Sequence, residues 1–206
     1  MAIQRNLKAE DTRERILQIT SEEMLRVGYR AMGLNDIIDK LKMSKGALYH
    51  HFKNKLELGY AVLDELYAIR FSSNWVSPLE QENPLLATIE CLESMPLTME
   101  EDAIRCGCPI NNLATEMSPI DEGFRLRLER IYTGWYARLI KAFLHAQEKG
   151  YMRKDVKAED VAIFMIATVQ GAFTISKNSQ NSDLFIQVMH PLTQYLRSLQ
   201  VVKAVH

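Results

Sequence analysis

The chain lacks an uninterrupted run of about 18 apolar residues, the length a helix needs to cross a bilayer, so no membrane span is expected. Glycine and proline are sparse, nine and six among 206 residues, and the first proline is Pro78. With helix formers dominant, this scarcity argues for an all-α protein. The segment from Met1 to Arg15 is polar and charged and lacks the apolar stretch of a secretory signal. Three cysteines, Cys91, Cys106 and Cys108, are too few and odd in number for a disulfide framework and suit the reducing cytoplasm. Also missing are a Gly-rich phosphate loop, a Gly-x-Ser-x-Gly elbow and a His-Glu-x-x-His metal motif. No motif ties the five histidines (His50, His51, His145, His190, His206) to a cysteine, so a cysteine-dependent enzyme is a poor alternative. Cys106-x-Cys108 has no second pair at zinc-ligand spacing. No catalytic residue, metal or cofactor is therefore expected.

What is present is unevenly distributed. The net charge is −1, yet residues 1–55 hold 11 Lys and Arg against 7 Asp and Glu, and the remainder holds 14 against 19. A basic head on an acidic body is the arrangement that phosphate binding through one end requires. Chance also produces differences of this size in short segments.

Three short helices are expected in the head. The first spans about Thr12 to Val27, with Ile16, Ile19, Met24 and Val27 on one face, Asp11 or Thr12 as its cap, and Gly28 ending it. The second spans about Leu34 to Leu41, where Leu34, Ile37, Ile38 and Leu41 fall at i, i+3, i+4 and i+7. The third follows Ser44, a strong N-cap, with Met43 and Leu48 placed as a hydrophobic staple. Leu48 and Phe52 point inward, which leaves Lys45, Gly46, Tyr49 and His50 on the other side. A cation, a gap, a phenol and an imidazole suit close docking to a groove, although an ordinary amphipathic surface helix also presents polar groups. Asn54 caps a further helix, with Glu57 at its third position and Lys55 in its first turn, a good phosphate site.

From about Thr12 to Leu58 the chain resembles the TetR family of helix-turn-helix regulators. The resemblance rests on Arg15-Ile16-Leu17, Gly28-Tyr29, Asp36-Ile37 and above all the run from Ser44 to Lys55. It implies that the helix Lys45 to His51 enters the major groove of double-stranded DNA, that Lys45, Gly46, Tyr49 and His50 contact backbone or bases, and that Lys55 and Thr12 touch phosphates. Four positions depart from the family pattern. Met32-Gly33 stands where Thr-Ser or Thr-Thr is frequent. Ala47 stands where Thr is frequent, and Lys42 replaces a usual turn glycine and offers a compensating phosphate contact. Asn35 occupies a position from which a base is read and is suited to an adenine edge.

The head is assigned to residues 1–54 and an effector-sensing, dimerising helical bundle to residues 55–206. In the bundle we expect a connecting helix from about Lys55 to Ser73, boundaries at Asn83-Pro84 and Met95-Pro96, a long helix from about Ile120 to Lys149, and a last helix from about Ser182 to Leu199. Val161 to Ser176 is apolar almost all round and contains small Ala167, Gly171 and Ala172, which implies burial on two sides. The resemblance implies a homodimer built from the last two helices, reading a near-palindrome. The segment Arg105 to Glu116 resembles the Gly-Cys-x-x-x-Asn-Leu-Ala-x-Glu stretch of one branch of the family, in which some members sense electrophiles or oxidants. Pro109 suits a first helical position, so Cys108 falls at a helix start, where partial positive charge favours thiolate. Arg105 adds charge, and Lys177 is a candidate partner. The alternatives for Cys108 are a small packing residue, with an ordinary small molecule as effector. Tyr132, Trp135 and Tyr136 are candidate pocket walls, or core. A helical interaction protein that does not bind DNA is the remaining alternative, and it leaves the Ser44 to Lys55 run without a purpose.

Overall fold

The structure is a computed structural model that describes residues 2–201, with side chains from Glu10 onward. Met1 and His206, both noted above, lie outside the described residues. The helices are α1 (Ala2–Val27), α2 (Leu34–Leu41), α3 (Lys45–His51), α4 (Lys55–Ala61), α5 (Ala68–Leu79), α6 (Pro84–Thr98), α7 (Glu101–Cys106), α8 (Pro109–Met117), α9 (Glu122–Glu148), α10 (Ala158–Ser179) and α11 (Asp183–Ser198). A π-helical turn, Val62–Tyr67, joins α4 to α5. Among the described residues there is no strand, only an isolated bridge between Met152 and Gln200. The protein is all-α. It forms two compact units, Met1–Phe71 with Pro109–Glu129, and Ser72–Cys108 with Arg130–His206.

In the first unit α1 packs against α2, α4 and the π turn, and α8 against the π turn. Ile16, Ile37, Leu58, Leu63, Ile110 and Phe124 are fully covered. Gly59 admits this packing, because a Cβ there would sit 2.5 Å from Tyr29 Cε2. The Tyr29 and Tyr60 rings each meet Phe124 edge-on at 4.9 Å. The polar groups of the π turn find partners elsewhere in the unit. Asp64 accepts from Arg127 Nε (2.9 Å), Glu65 from Arg13 (2.7 Å), and Tyr67 Oη donates to the Ser21 carbonyl (2.6 Å).

In the second unit α10 packs on α11 and α7, and α11 on α6. Leu85, Ile89, Leu139, Phe143, Met165 and Phe185 are fully buried, and Phe173 meets Phe185 at 4.6 Å. By length and composition alone α10 would suffice to cross a membrane, but half of its apolar window is buried within the fold. It serves as a core helix.

Several expectations need correction. α1 begins at Ala2, so Asp11 and Thr12 lie inside the helix rather than at its start. Residues 2–11 contain no glycine or proline to stop it. Met95-Pro96 is not a boundary. Pro96 lies in the last turn of α6, where its missing N–H costs one bond, and the helix closes with Met99 N–H on the Met95 carbonyl (3.0 Å). The connecting helix continues past Ser73 to Leu79 and contains the π turn. The long helix starts two residues after Ile120, because the Asp121 carboxylate accepts from the Phe124 N–H (2.8 Å).

Candidate nucleic-acid interface and sensor segment

The second and third helices have the bounds expected. α2 ends at Lys42, which adopts left-handed φ 52, ψ 42. Its N–H reaches the Asp39 carbonyl (3.2 Å) and the Met43 N–H reaches the Ile38 carbonyl (3.2 Å), the double closure of a Schellman turn. This geometry explains why glycine suits the position; here a lysine accepts the strain and gains an exposed ammonium. Ser44 then caps α3, its Oγ accepting from the Ala47 N–H (3.1 Å).

The periodicity of α3 sorts its side chains as the sequence implies. Leu48 and Phe52 are buried, while Lys45, Gly46, Ala47, Tyr49 and His50 are exposed. Lys45 Nζ stands 5.9 Å from the Tyr49 ring centroid. A Cβ at Gly46 would meet only Ser44 Oγ, at 4.0 Å, so the space in front of it is open. His50 and His51 lie edge to face at 5.5 Å. Burial, then His50 and Arg13, lower the basicity of His51. Asn35 is exposed in the first turn of α2, and Thr12 is half-buried on α1.

Lys55 is placed differently from a free surface cation. Asn54 Oδ1 caps α4 through the Glu57 N–H (2.8 Å). Lys55 Nζ donates to the Arg30 carbonyl (3.0 Å) and lies 4.9 Å from the Tyr29 ring centroid. Burial lowers its pKa, and Glu116 opposes that shift. Glu116 in turn accepts from the Tyr29 and Arg30 N–H groups (3.0 and 2.8 Å). Sequence pattern gives no sign of this pairing, though Glu116 closes the Asn-Leu-Ala-x-Glu stretch.

The candidate sensor segment also takes the expected local form. Pro109 opens α8, and Gly107, at φ 81, turns the chain out of α7. Cys108 is 6% exposed, whereas Cys91 and Cys106 are half-buried. Arg105 lies in the last turn of α7. Its guanidinium bonds to Glu101 (3.0 Å) and Asp102 (2.7 Å) on its own helix. Burial raises the pKa of the Tyr132 phenol, and interaction with Cys108 raises it further. Trp135 is buried against Trp75 at 4.6 Å, and Tyr136 is half-buried. Lys177 is half-buried near the end of α10, the helix whose C-cap Gln180 reaches the Arg105 carbonyl (3.4 Å).

Comparison with known proteins matches both ends of the chain. Residues 16–62 match the profile described as bacterial regulatory proteins, tetR family. Residues 84–190, more than half of the chain, match that described as transcriptional regulator LmrA/YxaF-like, C-terminal domain. The HTH-type transcriptional repressor DhaR of Mycobacterium sp. (strain GP1) is 28% identical over 188 residues, covering 86% of this chain and 89% of that protein. Among solved structures, a TetR transcriptional regulator from Chloroflexus aurantiacus superposes with TM-score 0.82 at 22% identity, covering 95% of this chain and 99% of that one. The reduced form of Escherichia coli NemR superposes with TM-score 0.78 at 21% identity, covering 94% and 100%. At these identities the two structures speak for the fold alone.

Proposed function

We propose that this chain, which belongs to the TetR family of bacterial regulatory proteins, is a cytoplasmic transcriptional repressor that binds a near-palindromic operator as a homodimer and is released by an effector. The observation that carries the reading is the outward side of α3, where Lys45, Gly46, Tyr49 and His50 are exposed together over a core-seated Leu48 and Phe52. Residues 1–54 read DNA, with Thr12, Asn35, Lys42, Ser44 and Lys55 as flanking contacts, and residues 55–206 sense and dimerise. The name of the relative DhaR supports the sign of regulation.

Dimerisation is supported by α10 and α11. Ile163, Phe164 and Ile175 on α10 and Ile186 on α11 are each about half exposed, and the Tyr195 ring meets Phe164 at 5.2 Å. So many large apolar groups on two adjacent helices imply a cover, and a symmetric copy supplies the same surface in return.

The sensor reading assigns Cys108 as an electrophile-reactive thiol, with Tyr132 and Lys177 as neighbours that tune it and Trp135 and Tyr136 as walls. With an alkene conjugated to a carbonyl, the thiolate sulfur bonds the β-carbon. The alkene π pair moves to the α-carbon, which takes a proton from water. The added group no longer fits a site where the thiol is 6% exposed, and the body shifts to an arrangement with lower DNA affinity. A second reading, non-covalent capture of a small molecule, is favoured by a cavity of about 490 Å³ between α5 and α9. Its lining includes Val76, Leu79 and Ala142 together with Glu80, Arg138, Lys141 and His145.

The test is fluorescence anisotropy with duplex DNA from the region upstream of the gene, with and without N-ethylmaleimide. Tight, salt-sensitive binding that the reagent abolishes in the wild type, but not in Cys108→Ser, is expected. Equal loss in both proteins removes Cys108 as the sensor, and no binding even after selection from random sequence removes the DNA-binding reading.

A further inference from the structure

Glu116, near the C-terminal end of α8, directs its carboxylate to the turn between α1 and α2. Oε2 accepts from the Tyr29 N–H (3.0 Å) and Oε1 from the Arg30 N–H (2.8 Å). These two successive N–H groups follow Gly28, whose φ of +87 turns them to one side, and together they form a concavity suited to an anion. A Cβ on Gly28 would lie 3.2 Å from both carboxylate oxygens, so glycine serves both the left-handed backbone and the close approach. The carbonyl of Arg30 accepts from Lys55 Nζ (3.0 Å). Residue 30 is thus held at its N–H by Glu116 and at its carbonyl by Lys55, the cation that opens α4.

We propose that Glu116 is a positioning residue for DNA binding: from α8 it fixes the α1–α2 turn, and through the Arg30 carbonyl it fixes where the Lys55 ammonium is presented to a phosphate. The inference rests on the DNA-binding reading of the head. It gives the motif that runs from Gly107 to Glu116 a physical purpose at its acidic end. α8 begins directly after Cys108 and spans nine residues, about 13 Å at 1.5 Å per residue. Further bonds hold the chain after α8 to the same unit. Tyr60 Oη donates to Asp121 (2.7 Å) and Arg127 Nε to Asp64 (2.9 Å). Anything that displaces the start of α8 therefore acts on the turn through a helix, and Glu116 is its point of attachment.

A double-mutant cycle on the full chain tests this. Glu116→Gln keeps the size of the side chain but sets an amide NH2 against one of the two N–H donors. Each of E116Q and K55Q is expected to lower affinity for the upstream duplex about tenfold, and the double variant to lose no more than the larger single loss, because both changes act through one ammonium. Glu116→Asp, with both oxygens on a shorter stem, should fall between wild type and E116Q. In the free protein, amide exchange at Tyr29 and Arg30 should accelerate in E116Q while α10 and α11 are unchanged. Wild-type affinity in E116Q, or a double variant whose loss is the product of the single losses, overturns the proposal. Failure of the wild type itself to bind any duplex overturns the DNA-binding reading instead.

Discussion

Glu23 on α1 accepts a hydrogen bond from Lys40 on α2, and its other oxygen accepts from Arg26 (2.7 Å). The residue is 2% exposed, and its two partners hold its pKa at about 2, against a usual 4.5. A buried carboxylate survives only when paired and hydrogen-bonded, so this one ties the first two helices of the head together.

A pH dependence follows. A carboxyl whose folded pKa lies below its unfolded value adds stability above the unfolded pKa. That share is lost as pH falls through the interval down to the folded pKa. For Glu23 the interval runs from about 4.5 to about 2. Both cations are half exposed, so solvent screening holds the contribution to on the order of 2 kcal/mol. Denaturant unfolding from pH 7 to pH 3 should show the wild type losing more stability than E23Q, which starts lower at pH 7. Parallel curves for the two proteins would refute the role of Glu23.

Gly46 separates stability from DNA binding. A Cβ there meets only Ser44 Oγ at 4.0 Å, and alanine favours a helix over glycine by about 0.5–1 kcal/mol. Gly46→Ala should leave the free protein as stable or more so, and Gly46→Leu should leave it folded, while operator affinity falls with side-chain size. Thermal melting beside anisotropy measures both, and undiminished affinity in Gly46→Leu would show that α3 does not approach the groove at this point.

Lys42 reverses that pattern. At φ 52 a lysine is strained where a glycine is not, by about 1 kcal/mol. Lys42→Gly should therefore raise the denaturation midpoint. If the ammonium holds a phosphate, the same change lowers affinity evenly across DNA sequences and reduces the salt-dependence slope by about 1. An unchanged salt slope would remove Lys42 from the interface.

The head was the legible part of this chain. The i, i+3, i+4, i+7 spacing of Leu34 to Leu41 and the cap at Ser44 are local signals, and both helices have the bounds those signals imply. The start of α1 was hidden because nothing in residues 2–11 opposes a helix, so a good cap at Asp11 or Thr12 was not needed. Pro96 misled because proline in a last turn costs a single bond. The π turn at Val62–Tyr67 carries no local signature and is matched instead to distant partners, Arg13, Ser21 and Arg127. Glu116 was hidden for the same reason. Its partners lie 86 and 87 positions away, beyond any periodicity, and only folding joins them.

The outer surface of α10 and α11 yields the last prediction. Phe164 is 49% exposed and Ile175 48%, whereas Met165 and Val169 on the same helix are buried. A charge at Phe164 therefore leaves the chain's own core intact and, besides its contact with the Tyr195 ring, disturbs what covers that face. Phe164→Asp, placed against its symmetric equivalent, introduces two carboxylates into an apolar contact, a change that costs several kcal/mol when the charges have no partner. Light scattering should show a monomer at micromolar concentration with unchanged helical circular dichroism. Operator binding should weaken far more than binding to a single half-site, because the two heads are no longer linked. A variant that stays dimeric would move the interface off this face. One that becomes monomeric yet binds the full operator as before would show that each head acts alone.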